Sequence, residues 1–271
     1  MLHPVRYVVT LCLLVVAGMT SVRAEPPYPW PAHSIVPIFF VPKDWDVNSS
    51  EVQAEAAALR SALLEVRQFY AHGLGGNTFV LNDLTVVQAN GPKESYGIHW
   101  NGGNIYTDGI SLDLAFEKLL TTELHDRGFP IYGNLSYHNE EGYIVLMFVK
   151  GAGGFAGGNG FGYYNDDGGR AIYGDWAIDS LQGQVAEGEY WWSGRRIQLG
   201  AVAHELGHGF GLIHPDEWGG PTEGVIMYSF WDYPNAKFAD YDNNWLTQQR
   251  IQYFTQCLPT DPLDPPPAVK P

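Results

Sequence analysis

The sequence predicts an α+β fold built on one mixed, twisted sheet, and three observations carry that prediction. Val52, Ala56, Leu59, Leu63, Val66 and Tyr70 recur at helical spacing, which makes one long amphipathic helix. Ile35–Val41 is a strand-like run, and Tyr143–Val149 is a continuous apolar run, the pattern of a strand buried on both faces. A second helical pattern follows, with Ile197, Val202, Leu206 and Phe210 on one side. A chain of 271 residues that is 45% hydrophobic and 14% aromatic has enough apolar surface for such a core and is not a disordered polypeptide.

In chain order, residues 1–24 have the pattern of an export signal. His3 and Arg6 form the polar start, an apolar run extends from Tyr7 to Ala17, and Val22-Arg23-Ala24 is a small-residue cleavage site. The apolar run is short for a bilayer span, and an uncleaved anchor is the alternative. Residues 25–34 are a Pro-rich lead-in to the strand Ile35–Val41. Asn48 with Glu51 three residues later resembles a capping box at the start of the long helix, which Gly73 stops. Thr78–Gln88, rich in β-branched residues, is expected to be one strand, and Ser111–Arg127 a helix ended by Gly128.

After the strand Tyr143–Val149 comes a glycine-rich stretch, Gly151–Gly169, which lacks the flanking pattern of a phosphate loop or a dinucleotide-binding turn. Ala171–Ile178 is expected to be a strand, Ser193 to cap the second helix, and Trp245–Cys257 to form a last helix before a Pro-rich tail, residues 259–271. Asp166, Asp167, Asp175 and Asp179 read as solvated acids, with a structural Ca²⁺ site as the alternative.

A formal charge of −15 argues against a nucleic-acid partner, since phosphate recognition needs a basic face. Cys12 lies in the signal, so the mature chain keeps Cys257 alone and forms no internal disulfide; Cys257 reads as a buried apolar residue.

The chemistry lies in His204–His214, HELGHGFGLIH. On a helix, positions i and i+4 differ by about 40° of rotation, so His204 and His208 stand one turn apart on one face and can grip one ion. His214 can be a third ligand only if the helix stops and the chain turns back, and Gly211 sits where that break is needed, since glycine accepts the positive φ of a helix end. Three histidines without cysteine suit a catalytic Zn²⁺ that keeps an open position. Glu205, about 100° around the helix from His204, stands where a carboxylate can take a proton from a water at the ion and pass it to a leaving amine. A chance match to this spacing is expected on the order of once in 10⁵ unrelated chains of this size.

This string resembles the HExxHxxGxxH signature of the metzincin clan of zinc endopeptidases, whose second hallmark is a methionine-containing turn beneath the metal. The resemblance implies a metzincin-like catalytic domain over residues 35–258, with a long helix, a zinc-binding active-site helix and a C-terminal helix. It implies His204, His208 and His214 as zinc ligands, Glu205 as the base and Met227 as the Met-turn residue. It also implies an edge strand that pairs with an extended peptide substrate, here placed at Gly153, Gly154, Phe155, Ala156 and Gly157. Pro215 is similar to the serralysin branch, but Ser229 stands where that branch carries a tyrosine two residues past the methionine, so the branch stays open.

The function expected is a secreted, monomeric zinc metalloendopeptidase, free of the membrane once the signal is cleaved. The alternative from another class is a non-catalytic secreted module in which zinc fixes the fold and exposed aromatics contact protein or glycan.

Overall fold

A computed structural model describes residues 29–96, 122–131, 142–154, 156–160, 168–190 and 192–260. The signal segment, Phe155, Asp166, Asp167, most of the expected helix Ser111–Arg127 and the tail beyond residue 260 lie outside the described residues. Of that helix, residues 122–126 are helical, and Gly128, at φ +83°, follows its end. No helix among the described residues is long and apolar enough to cross a membrane.

The first strand, β1 (Ser34–Val41), is buried along all eight residues. Side chains alternate across a strand, so Ile35, Phe39 and Val41 face the helices while Val36, Ile38 and Phe40 face a second core with Leu124, Phe129 and Tyr143. The helix α1 (Ser50–Gly73) follows, and its predicted stripe from Val52 to Tyr70 is the face it buries on the sheet. Its cap is Ser49, one residue later than expected: Ser49 Oγ accepts from Val52 N at 3.3 Å, while the Asn48 N–H and amide bond Asp46 Oδ1.

The expected strand Thr78–Gln88 is divided into β2 (Asn77–Thr78), β3 (Val80–Leu81) and β4 (Thr85–Gln88). β3 and β4 pair in parallel with the two ends of β1, leaving a gap opposite its middle. Pro37 accounts for the gap. The Ile35 and Val41 carbonyls face this side, accepting from Asn82 N and Ala89 N, and the Phe40 carbonyl faces the other, accepting from Lys150 N. Pro37 shares the parity of Ile35 and Val41, so it faces β3 and β4 and has no N–H to give them. Asn82 fills part of the gap, its amide donating to Ile35 O and Ser34 Oγ at 2.8 Å each.

β5 (Ile144–Val149) is buried throughout and pairs in parallel with β1 on its other side. It is followed by β6 (Ala156–Gly160) and β7 (Gly169–Tyr173), which give the sheet order β3-β1-β5-β7-β6 with β4 also on β1. The sheet is mixed as expected, yet mainly parallel: β7 runs parallel to β5, and β6 alone is antiparallel, on the outer side of β7. The expected strand Ala171–Ile178 ends at Tyr173, and Asp175–Gln182 is a helix, α2. Gly174 makes the corner because a Cβ there would meet Gly153 O at 2.3 Å.

The helix that carries the motif, α3 (Arg195–Gly209), starts without a side-chain cap. Ser193 instead takes the Tyr190 N–H on its hydroxyl at 2.8 Å and reaches Ala186 O at 2.7 Å. The C-terminal helix predicted over Trp245–Cys257 is replaced by α4 (Asp240–Asn244), a π-helical turn at Trp245–Gln249, a 3₁₀ turn at Ile251–Tyr253 and β8 (Gln256–Cys257). The π turn brings two donors, Trp245 Nε1 and Arg250 Nε, onto one carbonyl, Phe210 O, at 3.0 and 3.2 Å. β8 pairs with β2, which leaves Cys257 exposed on a two-stranded ribbon and not in the core.

Candidate metal centre

Buried tyrosines hold α3 from two sides. Tyr70 of α1 donates its hydroxyl to Ala203 O and Tyr173 of β7 donates to Val202 O, both at 2.9 Å. Two glycines let the far side approach closely: a Cβ on Gly200 would lie 2.0 Å from Phe230 O, and one on Gly207 would lie 2.4 Å from Met227 Sδ. Met227 is fully buried, so the turn after the third histidine packs beneath the helix at the level of the motif.

The helix ends where the sequence requires it. Gly211 takes φ +84°, its N–H bonds His208 O at 2.8 Å, and Leu212 N returns to Gly207 O at 3.0 Å. This reversal brings His214 back to the helix face. The three Nε2 atoms form a nearly equilateral triangle: His204 to His208 is 3.2 Å, His208 to His214 is 3.1 Å and His214 to His204 is 3.2 Å.

The orientation of two rings is fixed by backbone carbonyls, which accept only. His204 Nδ1–H donates to Ile226 O at 2.8 Å and His208 Nδ1–H to Leu212 O at 2.7 Å, so the Nε2 lone pair of each points into the triangle. Burial pushes His204 down to about 3, with His208 adding to it, and burial lowers His208 as well. These rings therefore stay neutral, the form a metal needs. At His214, the main-chain N–H donates to Glu217 Oε1 at 3.3 Å, tying the ligand-bearing turn to the following 3₁₀ turn.

The donor set fits zinc. Tetrahedral ligands about 2.0–2.1 Å from Zn²⁺ stand about 3.3–3.4 Å from one another, so the triangle needs to open by only about 0.2 Å. Among the described residues this is the one group of three or more His, Cys, Asp or Glu side chains placed to hold an ion. The calcium alternative finds no support: both Asp175 oxygens are taken by backbone donors, Gly151 N at 2.8 Å and Gly153 N at 3.0 Å.

Glu205 is partly exposed on α3, next in sequence to His204, which is 5% exposed. Its charge reaches Tyr173, whose hydroxyl is pushed well up, first by burial and then by Glu205. Of the residues expected at the substrate edge, Gly153 and Gly154 lie in the β5–β6 connection, and Ala156 and Gly157 open β6. Tyr228, next to Met227, is exposed and meets Trp231 edge-on.

Several contributors have no signature in the sequence. The Ile226 and Leu212 acceptors are backbone atoms, which no residue type announces. Phe230, whose ring lies 5.4 Å from that of His204, follows the methionine closely enough to have been a candidate by position.

No protein-family model and no curated protein matches the chain. Among solved structures, it is similar to OgpA from Akkermansia muciniphila, with 15% identity and a TM-score of 0.44 over 79% of this chain and 59% of that one. It thus spans about three-fifths of the OgpA chain. It is also similar to archaemetzincin from Methanopyrus kandleri (17% identity, TM-score 0.39, 82% of this chain and 98% of that one) and to metalloproteinase-II from Bacteroides fragilis (14%, 0.39, 79% and 53%). At these scores the chemistry has to be read from the histidine triad itself.

Proposed function

We propose that this chain is a secreted zinc-dependent endopeptidase of metzincin type. The observation that supports it is the triangle of Nε2 atoms at 3.1–3.2 Å, with His204 and His208 oriented by carbonyls on their far nitrogens. His204, His208 and His214 would hold the ion, and Met227, buried against Gly207 of the same helix, is the Met-turn residue. Zinc, when bound, supplies Lewis-acid polarisation of a water and of the scissile carbonyl. Glu205 takes the proton of the attacking water as its oxygen bonds to the carbonyl carbon, then returns that proton to the amide nitrogen as the C–N bond breaks. β6 offers an edge along which an extended peptide adds as a further strand, held by main-chain hydrogen bonds.

The test is digestion of an unfolded protein such as casein by wild type and by Glu205→Ala, with and without a zinc chelator and with bound zinc measured. Cleavage by wild type, abolished by chelation and lost in a variant that still holds zinc, supports the assignment. Zinc bound by both chains with cleavage by neither points to the non-catalytic binding module instead.

A further inference from the structure

The connection from β5 to β6 does not join neighbouring strands, because β7 lies between them. The chain must cross the end of β7, and the described residues of that crossing are held by specific contacts. Gly151 and Gly153 take φ +85° and +63°, values that favour glycine. A Cβ on Gly151 would lie 2.9 Å from the Trp45 ring, and Ala152 is fully buried. At the start of the crossing, Lys150 is held by Glu55 and Glu51 of α1 at 2.5 and 2.8 Å.

The residue that gathers this crossing is Asp175, the first of α2. Its Oδ1 accepts from Gly151 N and its Oδ2 from Gly153 N, at 2.8 and 3.0 Å. The next residue completes the clamp, Trp176 N donating to Gly153 O at 3.1 Å. The first ladder pair of β6 is Ala156 with Tyr173, two residues before Asp175 in the chain. The hydrogen bonds that hold Gly151 and Gly153 thus run to Asp175 and Trp176, at the exit of the strand that β6 pairs with.

We propose that Asp175 is a positioning residue for substrate: by clamping Gly151 and Gly153 it sets the path of β6, and so the place of a paired peptide relative to the histidine triad. This rests on the proposed use of β6 as the substrate edge. Among the described residues the Asp175 carboxylate bonds Gly151 N and Gly153 N and no histidine of the triad, so its loss acts on the affinity for an extended chain and not on the ion. A carboxylate accepting two N–H groups is a stronger anchor than a neutral side chain, and an amide keeps one acceptor oxygen of the two.

The experiment compares wild type, Asp175→Ala and Asp175→Asn on a long peptide that lies along β6 and on a short acylated dipeptide amide that does not reach it, with zinc content measured. Amide hydrogen exchange of residues 156–160 and of α3 is followed in the same chains. In Asp175→Ala, KM for the long peptide is expected to rise roughly tenfold, with kcat, zinc content and the short substrate changed by less than about twofold. Exchange is expected to quicken in β6 and stay unchanged in α3, and Asp175→Asn to fall between. Equal losses on both substrates, or β6 exchange as slow as in wild type, overturns the inference. A wild type that cleaves neither substrate refutes the proteolytic assignment separately, and β6 exchange then decides the role of Asp175 without it.

Discussion

Gly200→Ala separates local from tertiary control of the helix that carries His204 and His208, because the two predict opposite signs. Gly200 lies inside α3, and replacing a helix-interior glycine by alanine gains about 1 kcal/mol from propensity alone. In the folded chain the added Cβ would lie 2.0 Å from Phe230 O and 2.9 Å from both Phe230 C and Tyr233 Cβ. A carbon and a carbonyl oxygen need roughly 3.2–3.4 Å, so α3 and the 3₁₀ turn Phe230–Asp232 have to part by about 1.2 Å or more. Overpacking against side chains costs about 1–3 kcal/mol, and here the obstacle is backbone, which yields less; about 3–4 kcal/mol less the propensity gain leaves a net loss of about 2–3 kcal/mol. For a domain of this size that lowers the melting temperature by about 5–10 °C. The displaced turn carries Phe230, which packs on the His204 ring at 5.4 Å, so zinc affinity falls with it. Calorimetry of the zinc-free chain and competition with a chromophoric chelator measure the two effects. A variant as stable as wild type or more so would falsify the close approach of α3 to the turn after Met227.

Other expectations follow from the same site and core. Glu205→Gln is expected to bind zinc as wild type does while cleavage falls about 10²–10⁴-fold, measured as kcat/KM beside metal content. Chelation is expected to stop cleavage and lower the melting temperature while far-UV circular dichroism at 25 °C stays unchanged, because β1, β5 and α1 are buried by the sheet core and not by the triad; unfolding on chelation would show a structural metal instead. Asp242 gives the chain a defined pH response. It is fully buried, its Oδ1 has no hydrogen-bond partner, and burial raises its carboxyl from 3.8 to about 6. Between those values the folded chain binds a proton that the unfolded chain has lost, so this contribution is complete below about pH 4 and disappears as pH rises through 6. Asp242→Asn keeps an acceptor for the Ala239 N–H and removes the charge. Denaturant titrations at pH 4 and pH 7 are therefore expected to show the variant gaining about 2–3 kcal/mol on wild type over that interval; equal slopes would contradict a buried, charged Asp242.

What the sequence discloses and what it hides divide along the range of the interactions. The stripe from Val52 to Tyr70, the apolar runs of β1 and β5, and the break at Gly211 are legible because a helical period, a strand run and a positive φ are properties of neighbours in the chain. The readings that the structure changes were decided from far away. Asp175–Ile178 continues an apolar run from β7, yet it is helical because Gly174 turns against Gly153 O and Asp175 is drawn to two amides of the β5–β6 crossing. Trp245–Cys257 has helical composition, yet it breaks to bring Trp245 and Arg250 onto Phe210 O and Cys257 opposite Asn77. The metal centre shows the same division within a few ångströms. Its three histidines sit at a local spacing, so the motif picks them out as candidates, whereas the groups that aim two of those rings are the carbonyls of Ile226 and Leu212. A carbonyl is supplied by any residue, and its aim depends on the turns that present it: at Leu212 the reversal at Gly211, and at Ile226 the pairing of Ile226 N with Lys237 O at 2.9 Å. A substitution that spares all three histidines but moves either turn, as Gly200→Ala or a side chain at Gly211 does, is therefore expected to weaken zinc binding without touching the motif's ligands.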